Sequence, residues 1–513
     1  MNLLIGKITM KNVNKYILTI DQGTTSTRTI IFDSKTSIVA KSQMEFTQIC
    51  PKNGWVEHNP EEIWELTVQT IKNAMNMANL KATNIMAIGI TNQRETTILW
   101  NKNTGKVVYN AIVWQSRQSQ AICDDLIKKG LNEKFHKKTG LIINPYFSAS
   151  KIKWIFDNVK NVKEEADKGN ILFGTIDTYL LWKLTKGEIH ATDYSNASRT
   201  LVYNIIELKW DEELLNYFDI PKQILPKVYP SGHIFGFAKA LTSIDKHFEK
   251  IPIASLIGDQ QAALFGQCCF DEGSTKSTYG TGCFILMNTN DKIIYSDKGL
   301  LTTIAWGLNG KVKYALEGSV FVSGSAIQWL RDGMELFKES SDCEKSIRGK
   351  NPSGGIYFVP AFVGLGTPYW DNDARGAIFG ITRATTKDHI TVAAIEASPY
   401  QARDVMEVMI AESGFPINYL GVDGGASVNN YMMQFQANLL DAKIVRPTCL
   451  ETTALGAMYL AALTVGFYES EEEIKRFHQV EKIFMRQLDD KKRQELIKGW
   501  KIAVDATLEF KNK

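Results

Sequence analysis

The stretch Asp21-Gln22-Gly23-Thr24-Thr25-Ser26-Thr27-Arg28 follows the apolar run Tyr16-Ile-Leu-Thr-Ile and sets a glycine, four hydroxyls and an arginine behind one carboxylate. A strand ending in such a turn can aim several N–H and O–H donors at phosphate oxygens. Asp21 at its edge could hold a hydrated Mg2+ facing the same phosphates, because that ion takes one or two carboxylates and keeps most of its water. A plain polar hairpin in which Asp21 closes an Asx-turn accounts for the same residues. A second stretch of this design, Tyr279-Gly280-Thr281-Gly282, lies between Ser277-Thr and Cys283-Phe-Ile-Leu-Met. One such tip is decoration, whereas two, one in each half, make a clamp. A third glycine cluster, Gly421-Val-Asp-Gly424-Gly425-Ala426-Ser427, follows Tyr419-Leu420 and precedes a helical run from Asn430. Close helix-on-strand packing explains it, and so does close approach of an adenine or ribose. No Gly-x-x-x-x-Gly-Lys-Ser/Thr or protein-kinase motif set is present, so a nucleotide would have to be held in some other way.

Two further polar groups end apolar runs: Gln93-Arg94-Glu95 after residues 85–90, and Gly258-Asp259-Gln260-Gln261 after residues 253–257. Ligands of open α/β sheets gather at strand ends. An arginine beside a carboxylate offers a fork of donors and an acceptor, which suits vicinal hydroxyls; Arg94 and Glu95 could equally pair with each other. Asp259 is the candidate general base, since phosphoryl transfer to an alcohol needs a carboxylate within hydrogen-bond reach of the attacking hydroxyl. Its other reading is the N-cap of a helix beginning near Gln261.

Positioning such residues requires strands that stop at one edge, and the sequence supplies them. Strand-like runs bounded by turn residues alternate with helical stretches, as in residues 85–90, 98–100 and 116–129, which predicts an α/β fold. The two Gly/Thr-tipped stretches stand about 260 residues apart, which suggests two related domains facing each other with both tips at the cleft. The boundary is expected at residues 267–272, giving domains of residues 1–267 and 268–513, joined by a short hinge because no low-complexity linker marks it. Residues 471–513 carry helical spacing and are expected as solvated surface helices.

With 513 residues the chain is too long for one core. Lys plus Arg (59) nearly balances Asp plus Glu (56), and no basic stripe interleaved with aromatics stands out, which argues against a nucleic-acid partner. Seven cysteines, at 50, 123, 268, 269, 283, 343 and 449, form neither a disulfide framework nor a zinc pattern. The seven histidines show no ligand spacing. No run of about 18 apolar residues appears, and the first residues lack a secretory pattern. A cytoplasmic protein without membrane insertion is expected, although Lys7, Lys11 and Lys15 without an acidic residue before Asp21 also fit an amphipathic leader.

These stretches, together with Gly54-Trp-Val-Glu-His, Asn92-Gln-Arg-Glu-Thr, Val113-Trp-Gln-Ser-Arg, Ser150-Lys-Ile-Lys-Trp, Thr192-Asp-Tyr-Ser-Asn-Ala-Ser-Arg-Thr and Gly364-Leu-Gly-Thr-Pro-Tyr-Trp, resemble the FGGY carbohydrate kinases almost end to end, and among them the members that act on glycerol. The resemblance implies two actin-like, ribonuclease H-like ATPase domains facing across a cleft. It implies ATP and Mg2+ as cofactors, glycerol as acceptor, sn-glycerol 3-phosphate as product, and a homodimer or higher homo-oligomer. Arg94, Glu95, Asp259 and Gln260 would bond the hydroxyls, and Trp114, Tyr146 and Phe284 would wall the carbon skeleton. Each of these three aromatics would otherwise pass as core. Thr24, Thr25, Ser26, Arg28, Thr281, Gly324, Gln328, Gly425 and Asn429 would contact the nucleotide, with Asp21 and Asp259 toward the metal. A different sugar kinase of the family, or an actin-like chaperone or filament subunit, shares the clamp but not this pocket.

Two departures from the family pattern stand out. Pro399, in Glu396-Ala-Ser-Pro-Tyr-Gln-Ala-Arg, falls where relatives run an unbroken buried helix, and it is expected to kink or interrupt that helix. Residues 242–250 lack the glycine- and arginine-containing loop through which phosphorylated sugars inhibit bacterial relatives.

Overall fold

The apolar run after Lys15 forms strand β1 (Tyr16–Gln22), which turns back antiparallel into β2 (Ser26–Phe32) with Asp21 opposite Arg28 and Gln22 opposite Thr27. This computed structural model describes residues 14–349, 352–371 and 373–510. The leader reading of Lys7 and Lys11 lies outside the described residues. The chain divides into two compact units: described residues of 1–268, 302–314 and 452–478 form the first, and those of 269–301, 315–451 and 479–513 the second.

In the first unit β3 (Ile38–Glu45) pairs with β2, and β4 (Ile85–Asn92) runs parallel to β1. With β5 (Gly232–Phe237) and β6 (Pro252–Gly258) the sheet order is β5-β6-β4-β1-β2-β3. β4 has parallel neighbours on both sides and is buried nearly throughout, which is why it reads as a continuous Ile/Ala/Gly run rather than an alternation. Each Ile so buried contributes about 1.5–3 kcal/mol. The helix Thr452–Thr464 packs on this sheet; it is apolar all round because it is covered all round. Ser255 Oγ donates to the Ala457 carbonyl at 2.8 Å, and a Cβ on Gly89 would lie 2.5 Å from that same oxygen. Where this helix crosses Asp259–Gly266, a Cβ on Gly456 would stand 1.9 Å from the Ala262 carbonyl and one on Gly266 2.0 Å from that of Thr452. Backbone-to-backbone contact thus anchors the helix that begins at Asp259.

A second sheet repeats the plan. β7 (Thr275–Tyr279) and β8 (Cys283–Asn290) form its hairpin, β9 (Leu301–Leu308) and β10 (Lys311–Val320) follow, and β11 (Tyr419–Asp423) runs parallel to β7. With β12 (Lys443–Pro447) and β13 (Val480–Phe484) the order is β9-β10-β8-β7-β11-β12-β13. In both sheets the hairpin's first strand is central, with its hairpin partner on one side and a later parallel strand on the other.

Two expectations fail here. The helix Lys387–Ser413 runs without interruption through Pro399. The proline removes one N–H, but residues 391–402 are all buried and their packing holds the helical path. The tail is not a set of solvated helices. Its residues 480–484 pair antiparallel with β12 as an edge strand, and Trp500, on the helix Asp490–Glu509, is buried and stacks on Tyr400 at 4.9 Å. The charged residues of the tail flank an apolar stripe that helical spacing alone does not separate from a solvated face.

Candidate active site

Both Gly/Thr tips are hairpin turns. In the first, Gly23 N donates to Ser26 O at 2.9 Å. The carbonyls behind it are all engaged by protein donors: Gly23 O by the amides of Gln22 (2.8 Å) and Gln93 (3.1 Å), Thr24 O by Gln48 (3.2 Å), and Thr25 O by Phe46 N (3.3 Å). With its acceptors turned inward, the tip presents donors outward, the polarity an anion needs. His58 completes the bracket. Its Nε2 lies 2.9 Å from Gln48 Oε1, its Nδ1 lies 3.4 Å from Gln93 Nε2, and burial drives its pKa down to about 4. A neutral ring that donates through Nε2 and accepts at Nδ1 fits both amides. Sequence spacing gave His58 no role, since its partners lie ten and 35 residues away. Asp21 sits at the hairpin's last rungs with its carboxylate 3.6 Å from Arg28.

The acceptor residues converge at the ends of β4 and β6. Arg94 is buried, and its guanidinium is a hub: Nε lies 3.3 Å from Asp259 Oδ1 and 3.8 Å from Glu95 Oε1, Nη1 donates to Gln261 Oε1 (3.2 Å), and Nη2 donates to Tyr146 Oη (3.4 Å). The expected alternative, a simple Arg94–Glu95 pair, is the longer contact. Asp259 is not an N-cap either. Gly258 caps the helix and Asp259 is its first residue, with Oδ1 accepting from Gln260 N (2.8 Å) and Oδ2 from Gln260 Nε2 (3.2 Å). Its side chain is 28% exposed against 2% for Arg94 and 1% for Glu95, so it is the most open carboxylate of this cluster.

Glu95 is held in the left-handed region at φ 59°, a costly conformation for a non-glycine residue. Ser148 Oγ (3.0 Å) and Thr97 Oγ1 (3.1 Å) bond its carbonyl, and Arg199 Nε donates to its Oε1 at 2.6 Å. Trp114 stands edge-on to Tyr146 at 5.5 Å, and its Nε1 donates to Thr24 Oγ1 at 3.0 Å. One aromatic thereby touches both Tyr146 and the tip of the first hairpin. Lys151, buried, donates to the carbonyls of Tyr146 and Phe147, and desolvation lowers its pKa to about 7 against the pull of Glu95. Arg199, Gln261, Lys151 and Gln93 belong to motifs legible in the sequence, but only the folded chain shows what they hold.

In the second unit Gly280 N donates to Gly282 O (2.9 Å), and the helix Gly324–Asp332 starts against this tip, where Gly324 N donates to Gly280 O (3.0 Å) and Ser325 N to Thr281 O (3.1 Å). Thr281 and, one turn along that helix, Gln328 are exposed. Gly424 has φ 85°, and a Cβ there would meet the Tyr279 backbone at 2.5 Å. Beside Gly425, which is exposed, a Cβ would meet nothing within 4 Å, so packing does not require that second glycine. Asn429 caps the helix Asn430–Leu439 through Oδ1 to Met432 N (2.9 Å). Phe284, half-buried on β8, belongs to this unit, and Arg94, Glu95, Trp114, Tyr146, Asp259 and Gln260 belong to the first.

Two α/β units of one plan, each with a donor-tipped hairpin, define an actin-like two-domain kinase. The chain matches the FGGY family of carbohydrate kinases over residues 16–266 (N-terminal domain) and 275–465 (C-terminal domain), and it belongs to that family. It is 56% identical over 498 residues to a glycerol kinase of Bacillus velezensis, covering 97% of this chain and 99% of the relative. A glycerol kinase of Bacillus subtilis is 55% identical over 498 residues, with 97% and 99% covered. Among solved structures, the glycerol kinase of Plasmodium falciparum with ADP superposes with a TM-score of 0.90 at 38% identity, covering 96% of this chain and 98% of that one.

Proposed function

We propose that this chain transfers the γ-phosphoryl group of ATP to glycerol, giving sn-glycerol 3-phosphate and ADP, in glycerol catabolism and glycerolipid precursor supply. The observation that carries it is the Arg94 hub, which sets Asp259 at 3.3 Å and Glu95 at 3.8 Å from one guanidinium, beside an aromatic wall that bonds the phosphate hairpin. Arg94, Glu95 and Gln260 bond the polyol hydroxyls. Trp114, Tyr146 and Phe284 line its carbons, so a substrate lacking a hydroxyl strands buried polar groups and a bulkier sugar collides with rings. Asp259 takes the proton of the attacking hydroxyl as its oxygen bonds to the γ-phosphorus and the bridging oxygen leaves with ADP.

Thr24, Thr25, Ser26, Arg28 and Thr281 lie toward the phosphates, Gly324 and Gln328 beside them, and Gly425 and Asn429 toward the base. The polyol pocket and first phosphate hairpin fall in residues 1–267, the second hairpin and adenosine site in 268–513. No cluster of three or more His, Cys, Asp or Glu fit to hold an ion exists among the described residues. Asp21 and Asp259 suit Mg2+ arriving with the nucleotide, which needs only one or two protein carboxylates. That ion, when bound, neutralises charge on the phosphoryl oxygens.

No helix among the described residues is long and apolar enough to cross a membrane, and all seven cysteines are free thiols. The thiols support a cytoplasmic location, and the family resemblance supports a homodimer or higher assembly.

The test is Asp259→Asn. It keeps the size of the side chain and one acceptor oxygen but removes the base, and kcat should fall about 10²–10⁴-fold with ATP affinity little changed. An Asn variant with nearly full turnover would remove Asp259 from that role.

A further inference from the structure

Arg199 stands beside the acceptor cluster with no exposed surface of its own. Its side chain is wholly inaccessible to solvent, and its Nε donates to Glu95 Oε1 at 2.6 Å, against 3.8 Å for the adjacent Arg94. Two rings hold the guanidinium in place: its Cζ lies 5.6 Å over Tyr146 and 5.3 Å over Phe147. The backbone joins the same assembly, because Ala149 N donates to Thr200 O (2.9 Å) and Arg199 N to Asn196 O (3.0 Å).

Glu95 needs such a partner. Its left-handed φ of 59° is a conformation the chain would leave unless its surroundings over-determined it. Ser148 and Thr97 fix its carbonyl, but they do not aim its carboxylate. A carboxylate at 1% exposure has several rotamers and no water to average over them, so its direction is set by whichever cation it meets.

We infer that Arg199 is a positioning residue for polyol specificity: it fixes the direction in which the Glu95 carboxylate is held. The same guanidinium supports the Tyr146 ring, so the polar floor and the aromatic wall of the pocket share one support. This rests on the glycerol-kinase reading of the site.

Arg199→Met and Arg199→Lys, each alone and combined with Glu95→Gln, test it in the full-length protein, with folding checked by circular dichroism. Arg199→Met should raise the glycerol KM about 10–100-fold, the usual size of effect for a group that orients a ligand-binding residue. ATP affinity without glycerol should stay within about twofold. Lysine keeps the charge but neither the planar fork nor the ring stacking, so Arg199→Lys should fall between. In the Glu95→Gln background either change should add no more than about threefold, because the carboxylate it aims is gone.

A folded Arg199→Met with glycerol KM within threefold of wild type overturns the inference. So do penalties that simply multiply with that of Glu95→Gln, which would mark a general structural role. Should the Met variant not fold, the Lys pair decides by the same criterion. A wild-type protein that leaves glycerol unphosphorylated is a different failure, because it sinks the functional reading itself.

Discussion

At the scale of single residues, the site is a set of hydrogen bonds with little redundancy. Trp114 shows this most clearly, since its indole bonds Thr24 while its ring meets Tyr146. Trp114→Phe keeps most of the wall but removes the bond to the hairpin. Loss of one such bond costs about 0.5–1.5 kcal/mol, so the KM for ATP should rise roughly two- to tenfold together with that for glycerol. An effect on glycerol alone, in initial-rate kinetics over both substrates, would mean that the bond does not couple the two. Residue types in the motifs were sufficient to single out Arg94, Glu95, Asp259 and Trp114. They could not show that Arg94 turns to Asp259 and Glu95 to Arg199, because a partner 104 residues away leaves no local trace.

At the scale of elements, hairpins and parallel strands were legible and packing was not. Alternating apolar runs with Gly/Thr turns predict both tips, and β1–β2 and β7–β8 form there. Helix Lys387–Ser413 and the tail went the other way, because burial overrides a proline and an apolar stripe can hide among charges. That helix also carries a buried acid: desolvation raises Glu396 to about 7, and Tyr431 Oη donates to it at 2.5 Å. A raised carboxyl contributes stability that is complete below its unfolded value of 4.5 and lost as pH rises through about 7. Glu396→Gln keeps an acceptor for Tyr431 and has nothing to ionise. It should therefore unfold at a higher temperature than wild type at pH 8, by up to about 3 kcal/mol of stability, and match it at pH 4. A difference that does not change between these pH values in thermal melts would contradict the assignment.

At the scale of the whole molecule, the repetition of one sheet plan is the feature that the sequence announced, through two Gly/Thr tips about 260 residues apart. The excursions of residues 302–314 and 452–478 into the first unit had no such signal, since a helix apolar on every side does not say which sheet will cover it. The same plan serves different acceptors across the family, so what distinguishes this chain is the pocket built onto it. The most direct measurement is a 31P NMR time course of the purified protein with MgATP and either glycerol, dihydroxyacetone or a pentulose. The account predicts glycerol 3-phosphate appearing mole for mole with ADP, far faster than any pentulose phosphate and with little inorganic phosphate. ADP formed with inorganic phosphate alone, at a rate indifferent to glycerol, would contradict it.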